Sequence, residues 1–365
     1  MIKYLGSKRR LVPALTRACA AARATTALDL FTGTTRVAQA FKRTGAHVTA
    51  VDVARYAEVF GGCYVATDAT TVDRRALGAA VAELDALPGS PGYFTDTFCV
   101  QSRFFQPQNG ARIDAIRDAI ARDHAGSALE PILLTSLLEA ADRVDSTTGV
   151  QMAYVKQWAP RSYQRMTLRA PELLAGHGVT RRGDALEVAG TLGEFDLAYL
   201  DPPYNQHRYF TNYHVWETLI AWDAPEHYGV ACKRVDARDP ATKSPFNLKR
   251  QMPGALERVI ADVRARVLIV SYNDESWVHV DDLRAMCEVH GHVEVVAFDS
   301  RRYVGALIGI HDPRGARVGK VSHVRNTEYL VIAGGRDEVR RVADAARGTA
   351  RLPSRAVAPA ARAQQ

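Results

Sequence analysis

The fold is decided by residues 27–52, which read ALDLFTGTTRVAQAFKRTGAHVTAVD. Residues 27–31 are a short apolar run that leads into a turn containing Gly33, and the helical segment after the turn stops at Gly45. Residues 47–52 then alternate apolar and polar positions, as a second strand does. Strand, turn, helix and strand within about thirty residues predict a βαβ unit and hence a parallel sheet.

Further strands are predicted outward from this unit. They are 195–200, 266–271, 292–298 and 328–333. The last two have no helical signal between them, so we expect an antiparallel pair that closes the sheet. The predicted fold class is therefore α/β, with a mostly parallel, Rossmann-like sheet and an antiparallel closing strand.

The chain divides into three predicted parts. Residues 1–70 and 183–335 form the α/β domain, and residues 71–182 form a helical insertion, because their apolar positions follow a helical period. Residues 336–365 are rich in Ala, Arg and Pro. We expect a basic tail in which a helix can extend to about residue 347 and the remainder is disordered.

Composition limits the class of protein. The 365 residues are 47% hydrophobic and 24% charged, values typical of a soluble globular chain, and no apolar run is long enough to cross a membrane. Five scattered cysteines without a C-x-x-C pair or zinc-like spacing indicate reduced thiols in a cytoplasmic protein with no metal site. The net charge is +7, of which residues 336–365 carry +4, so basicity alone decides nothing about a partner.

The tetrapeptide Asp201-Pro202-Pro203-Tyr204 carries the clearest chemistry. It follows a predicted strand directly and so lies at the carboxyl edge of the sheet, where open α/β sheets bind ligands. The prolines remove two backbone donors, which leaves a carboxylate, a carbonyl and an aromatic ring to face a ligand. The Asp201 carboxylate and the Pro202 carbonyl can accept N–H groups of a planar exocyclic amine while Tyr204 stacks on its ring. The alternative is an ordinary strand-to-loop turn.

Several short motifs, taken in order, resemble the α group of DNA adenine-N6 methyltransferases, the orphan deoxyadenosine methylases and their restriction-modification relatives. The motifs are Tyr4-Leu-Gly-Ser-Lys8, Asp29-Leu-Phe-Thr-Gly33, Asp52, Gly183-Asp184 and Asp201-Pro-Pro-Tyr204. The resemblance spans residues 1 to about 335. One departure is visible, since Thr35 replaces the second glycine of the family's usual F-x-G-x-G turn.

The resemblance implies S-adenosylmethionine as cofactor and assigns its site. The cofactor-binding residues it implies are Tyr4, Lys8, Asp29, Phe31, Gly33, Asp52, Asp184 and Asp201. The turn lacks G-x-G-x-x-G, which disfavours a dinucleotide, whereas a cofactor without phosphates needs one close-approach glycine and a carboxylate for its ribose hydroxyls. Asp52 suits the second role and Asp184 is implied at the cofactor adenine. Asp52 could instead be an exposed strand end, and Asp184 could be the N-cap of a helix at 185–189.

Three basic segments are candidate DNA contacts, and each could equally be solvated surface. Residues 151–169 interleave cations with aromatic rings, residues 205–209 directly follow the tetrapeptide, and 299–326 is a long connection between strands. The predicted DNA-binding residues are Lys156, Arg161, Arg165, Arg169, Arg208, Arg301 and Arg302.

The predicted function is site-specific transfer of a methyl group from S-adenosylmethionine to N6 of a flipped adenine in double-stranded DNA, by Asp201, Pro202, Pro203 and Tyr204. The insertion is expected to recognise the target, and a cognate restriction endonuclease is an expected partner. The alternatives are cytosine N4 of DNA or adenine N6 of RNA as acceptor, or a catalytically silent DNA-binding protein.

Overall fold

A computed structural model describes residues 2–6, 8–152, 154–155, 157–204, 206–301 and 325–348. Its strands are β1 (Thr26–Leu30), β2 (His47–Asp52), β3 (Gly178–Arg182), β4 (Glu194–Leu200), β5 (His227–Tyr228), β6 (Lys233–Arg234), β7 (Arg264–Asn273), β8 (His292–Arg301) and β9 (Arg325–Gly334). Seven of them form one sheet in the order β3-β2-β1-β4-β7-β9-β8, and β5 pairs with β6 in a small hairpin.

The sheet is parallel from β3 to β7 and antiparallel from β7 to β8. The βαβ unit at 27–52 is confirmed as β1, an intervening helix and β2. The antiparallel closing pair is also confirmed, because β8 and β9 run antiparallel from His292 opposite Gly334 to Arg301 opposite Arg325. The predicted α/β class with a mostly parallel, Rossmann-like sheet is therefore correct.

The α-helices lie on both faces of the sheet and in the insertion. They are α1 (Val12–Ala21), α2 (Arg36–Arg43), α3 (Arg55–Gly61), α4 (Arg74–Ala86), α5 (Tyr93–Thr95), α6 (Pro107–Asp123), α7 (Glu130–Val144), α8 (Ala185–Val188), α9 (Tyr209–Asn212), α10 (His214–Ala221), α11 (Met252–Asp262), α12 (Val280–Cys287) and α13 (Arg336–Arg347). Two π-helical turns, Gly62–Ala66 and Asp96–Gln101, extend α3 and α5. The 3-10 turns are Lys8–Arg10, Pro160–Tyr163, Ala189–Thr191, Val235–Arg238, Pro240–Thr242, Pro245–Asn247 and Glu288–His290.

None of the helices in the described ranges combines the length and apolar character that a membrane crossing needs.

Alternation along the strands gives the sheet two apolar faces. Tyr199 of β4 points to the face covered by α1, α2 and α13, whereas its neighbour Leu200 points to the face covered by α8, α11 and α12. A third cluster fills the insertion and includes Tyr56 of α3 and Trp216 of α10, so the insertion shares its core with helices of the α/β domain.

The boundary predicted at residue 182 is one strand too late. Residues 178–182, which we assigned to the helical insertion, form β3 and pair in parallel with β2. β3 is the edge strand of the sheet, and its Val179 remains 45% exposed. An edge strand with one apolar residue in Gly-Val-Thr-Arg-Arg lacks the apolar run or the alternation by which the other strands are visible in the sequence.

The start of the predicted tail is an ordered helix. Residues 336–347 form α13, whose Val339 and Val342 are fully buried in the core of the α1 face. Its four arginines and three acidic residues lie on the outer face of an amphipathic helix, so this part of the chain carries a net charge of only +1. Residues 349–365 lie outside the described part of the chain.

Candidate active site

Acidic side chains from neighbouring parallel strands meet at the carboxyl edge of the sheet. Asp29 lies near the end of β1, Asp52 ends β2, and Asp201 directly follows β4. β1 lies between β2 and β4, so parallel pairing brings the three residues to one edge. This is the place where open α/β sheets bind ligands.

Asp201 forms an ion pair with Lys8 inside the site. Lys8 Nζ lies 3.1 Å from Asp201 Oδ1 and 5.5 Å from the centroid of the Tyr204 ring. Burial raises the pKa of Asp201 to about 6, although Lys8 opposes the rise. Burial acts to lower the pKa of Lys8, but Asp201 and other nearby anionic groups raise it overall, so Lys8 stays charged. The Asp201 carboxylate is thus ionised at neutral pH but close to its titration range.

The turn after β1 has an unusual backbone. Three of its residues have positive φ, namely Phe31 at 70°, Gly33 at 52° and Thr35 at 60°. Asp29 lies beneath the turn and accepts hydrogen bonds from Thr32 Oγ1 at 2.7 Å and from Ala38 N at 2.9 Å. Burial raises the pKa of Asp29 to about 7, and the two donors oppose the rise. Asp29 therefore fixes the turn and the start of α2.

Asp52 fixes the same turn from the neighbouring strand. Its Oδ2 accepts from Gly33 N at 2.8 Å and its Oδ1 from Ala54 N at 3.0 Å. Burial raises its pKa, and these backbone donors oppose the rise. Val53, the next residue, is 65% exposed and offers an apolar surface beside the carboxylate.

Asp184 lies at the same edge because Gly183 N donates to the Asp52 carbonyl at 3.0 Å. Its carboxylate accepts from Leu186 N at 2.8 Å and caps α8, as the alternative interpretation expected.

Tyr4 closes the site over Gly33. Its ring stacks on Tyr213 with centroids 4.7 Å apart, and its hydroxyl lies 3.2 Å from Tyr56 Oη. Burial raises the pKa of Tyr4 well above its usual value, so it stays protonated. Most of the residues predicted for cofactor binding line one cavity: Tyr4, Lys8, Asp29, Phe31, Gly33 and Asp201. Asp52 and Asp184 flank the cavity without lining it.

Tyr204 is half-buried beside a partner that the sequence did not indicate. Its ring meets Tyr272 of β7 edge to face, with centroids 5.8 Å apart. Tyr209 and Tyr213, which also contact Tyr4, were missed as well. Their spacing of four residues shortly after the tetrapeptide is a helical signal that could have placed them on one face.

The predicted DNA-binding residues are scattered, and several already have partners. Arg161 donates to Asp145 Oδ1 at 2.7 Å, Arg165 pairs with Asp85 at 3.2 Å, and Arg208 donates to the Ala237 carbonyl at 2.7 Å. Arg169 is exposed. Lys156 and Arg302 lie outside the described residues, and the side chain of Arg301 is likewise not described.

The fold and the site together define a Rossmann-like methyltransferase. The chain belongs to the D12 class N6 adenine-specific DNA methyltransferase family, whose model matches residues 4–286. It is therefore a site-specific DNA adenine methyltransferase, which sets aside cytosine N4, RNA and a catalytically silent DNA-binding protein as alternatives.

Curated relatives agree with this family. The type II methyltransferase M.NlaIII of Neisseria lactamica is 28% identical over 287 residues, which cover 75% of this chain and 83% of that protein. The type II methyltransferase M.CviAII of Paramecium bursaria Chlorella virus 1 is 32% identical over 225 residues, or 60% and 67% of the two chains. The type II methyltransferase M.FokI of Planomicrobium okeanokoites is 30% identical over 195 residues, 52% of this chain and 29% of that protein.

Proposed function

We propose that S-adenosylmethionine is the methyl donor and that it binds in the cavity between Tyr4 and Asp201. The observation that carries this is the cradle at Gly33, where a Cβ would lie only 3.1 Å from Tyr4 Cε1. The residues fit S-adenosylmethionine. The Asp52 carboxylate can accept hydrogen bonds from its ribose hydroxyls, and exposed Val53 offers an apolar surface for its adenine. Lys8 offers a buried cation for its carboxylate. When bound, the cofactor supplies a methyl group on a positively charged sulfur.

The target adenine is assigned to Asp201, Pro202 and Tyr204. Extracting a base from a duplex costs a few kcal/mol, and stacking on Tyr204 offsets roughly 1–3 kcal/mol of that cost. The Asp201 carboxylate and the Pro202 carbonyl accept the two N6 hydrogens. The adenine amine is a poor nucleophile because its lone pair is delocalised into the ring. These two acceptors localise electron density on N6 and fix its direction, and such positioning lowers the barrier.

Lys8 and Pro203 support this arrangement in different ways. The Lys8 ammonium, 3.1 Å from Asp201 Oδ1, keeps the buried carboxylate ionised and hence able to accept a hydrogen bond. Pro203 has no backbone donor, so nothing local competes with the adenine for the two acceptors. We place the reaction in the cytoplasm and propose a cognate restriction endonuclease as partner, because the relatives are type II methyltransferases.

Two variants test the cofactor role of Asp52 and the target role of Asp201 separately. Asp52→Asn removes a charged acceptor worth about 1.5–3 kcal/mol, so the Kd for S-adenosylmethionine, measured by calorimetry, should rise roughly tenfold or more. Asp201→Ala should leave that Kd measurable but nearly abolish transfer of labelled methyl to DNA. Each variant controls for the other. Unchanged cofactor affinity in Asp52→Asn, or transfer within a few-fold of the parent in Asp201→Ala, would refute the corresponding role.

A further inference from the structure

A basic segment between α10 and α11 lies next to the proposed target site. We call residues 233–250 the basic segment. It contains six cations (Lys233, Arg234, Arg238, Lys243, Lys249 and Arg250) and two carboxylates (Asp236 and Asp239). It comprises β6, three 3-10 turns and the approach to α11. Neither the catalytic tetrapeptide nor the cofactor cavity uses any of these charges.

Both carboxylates of the basic segment are engaged internally. Asp236 pairs with buried Arg234, which also holds Asp223 at 2.7 Å and so fixes the hairpin. Asp239 caps the turn at Pro240, where it accepts from Ala241 N at 2.9 Å. Asp236 therefore neutralises an internal arginine and Asp239 caps a helical turn. Neither carboxylate is a counter-charge for the outer cations.

Four of the cations point to solvent. Arg238, Lys243, Lys249 and Arg250 are exposed, and none has an ion pair within the described part of the chain. Arg238 lies 3.7 Å from the centroid of the Tyr228 ring, which holds it against the hairpin. Exposed cations without a counter-charge are the groups that neutralise nucleic-acid phosphates.

The basic segment is joined to the loop that follows the catalytic tetrapeptide. Arg208 Nη2 donates to the Ala237 carbonyl at 2.7 Å, and Asn247 Nδ2 donates to the His207 carbonyl at 3.0 Å. Phe246 packs edge to face on Phe31 of the turn after β1, with centroids 5.1 Å apart. The exposed cations are thus held at a fixed place beside the pocket that receives the base.

We propose that the basic segment is a phosphate-binding surface for the duplex that carries the target adenine. This rests on the assignment of the target base to Asp201–Tyr204. The segment is better suited to this contact than residues 151–169, whose Arg161 and Arg165 already pair with Asp145 and Asp85. Strand phosphates next to a flipped base need stabilisation close to that base, and this surface supplies it.

The test is a salt titration of DNA binding. The variant Lys249→Gln/Arg250→Gln removes two exposed charges, and Arg43→Gln/Arg284→Gln is the matched control. The control residues are exposed and lie near the carboxyl ends of α2 and α12, at the opposite edge of the sheet. The probe is a fluorescein-labelled random duplex, read by anisotropy. The first variant should reduce the slope of log affinity against log salt by about 1.8, or 0.9 per phosphate lost, and the control should keep the parent slope.

The outcomes separate this proposal from the proposed function. An unchanged slope in Lys249→Gln/Arg250→Gln, or an equal reduction in the control, would overturn the phosphate surface. The Kd for S-adenosylmethionine should be the same in all three proteins, because these charges lie outside the cofactor cavity. If the parent protein failed to bind S-adenosylmethionine, the cofactor assignment would fail, yet the salt slopes would still decide whether the basic segment contacts DNA.

Discussion

The ion pair of Asp201 and Lys8 joins the two halves of the site. Lys8 comes from the N-terminal segment, which the motif comparison placed at the cofactor, but its Nζ lies 3.1 Å from the carboxylate assigned to the target amine. Burial alone would favour the protonated form of Asp201, which is a weaker hydrogen-bond acceptor than the carboxylate. A nearby cation favours the ionised form. Lys8 therefore lowers the proton affinity of the Asp201 carboxylate.

This pair predicts a pH dependence. The pKa of Asp201 is raised to about 6, and its ionised form is the acceptor, so methyl transfer should rise as pH increases through about 6 and level off above it. Lys8→Met removes the group that opposes the rise and should shift the acid limb to higher pH. The rates are measured at saturating cofactor. Arg9→Met, which removes an exposed cation one residue away, should keep the parent profile. Coincident acid limbs in the parent and Lys8→Met would show that Lys8 does not control Asp201.

Two substitutions of Tyr204 separate the contribution of its aromatic ring from that of its hydroxyl. Stacking needs the aromatic face, so Tyr204→Ala should lose roughly 1–3 kcal/mol of base binding, whereas Tyr204→Phe should keep most activity. Fluorescence of 2-aminopurine at the target position reports flipping, and methyl transfer reports the consequence. Equal losses in the two variants would instead assign the effect to the hydroxyl.

At the scale of elements, the turn between β1 and α2 has an unusual backbone beside the cavity proposed for the cofactor. Thr35 stands where the family usually has glycine, yet it keeps the left-handed backbone at φ 60°. Its Oγ1 donates to the Thr34 carbonyl at 2.7 Å and accepts from Gln39 Nε2 at 3.0 Å. Hydrogen bonds from the side chain thus stabilise a conformation that costs a β-branched residue energy.

Gly33→Ala tests the turn directly. The residue has φ 52°, and the added Cβ would lie 3.1 Å from the Tyr4 ring. Gly126→Ala is the control, since Gly126 also has positive φ, 71°, but open space around its Cβ position. Both variants should lose about 1–2 kcal/mol in free energy of unfolding. Only Gly33→Ala should also weaken the binding of S-adenosylmethionine in calorimetry, and equal cofactor affinity in the two variants would refute the cradle.

The elements also show how far the sequence could predict the site. The unit β1–α2–β2 and the strand before the tetrapeptide were visible because their strands carry apolar runs or alternating apolar positions. The strand β3 was missed, because its exposed position at the edge removes that signal. The Asp201–Lys8 pair and the contact of Tyr204 with Tyr272 join residues far apart in the chain, and no local pattern encodes them.

At the scale of the whole molecule, the N-terminal segment contacts both the insertion and the junction of α9 and α10. Lys3 N donates to both carboxylate oxygens of Asp142 at 3.1 Å, and Lys3 Nζ lies 3.1 Å from Asp145 Oδ1. Leu5 N donates to Tyr213 Oη at 2.6 Å. Tyr4 and Lys8, which line the cavity proposed for the cofactor, lie between and after these anchors.

The helix α13 packs against α1 on one face of the sheet. Val339 and Val342 are fully buried against the face that α1 covers, and Arg17 Nε and Nη2 donate to the Ala345 and Ala346 carbonyls at 2.7 and 2.8 Å. Burial of one valine contributes about 1.5–3 kcal/mol. Losing the burial of both valines would therefore remove a large part of the net stability of a typical domain, about 5–15 kcal/mol.

Two truncations test this role of α13. A chain ending at Gly335 should lose cooperative thermal unfolding, because it exposes the apolar face of β8, β9 and α1 to water. A chain ending at Gly348 keeps α13 and its contact with Arg17, so its melting temperature by circular dichroism should match the full chain. Val342→Asp in the full chain should reproduce the loss by placing an unpaired charge in the same core. A stable, cooperatively folded chain ending at Gly335 would show that the sheet does not need α13, and that residues 336–348 are the tail their composition suggests.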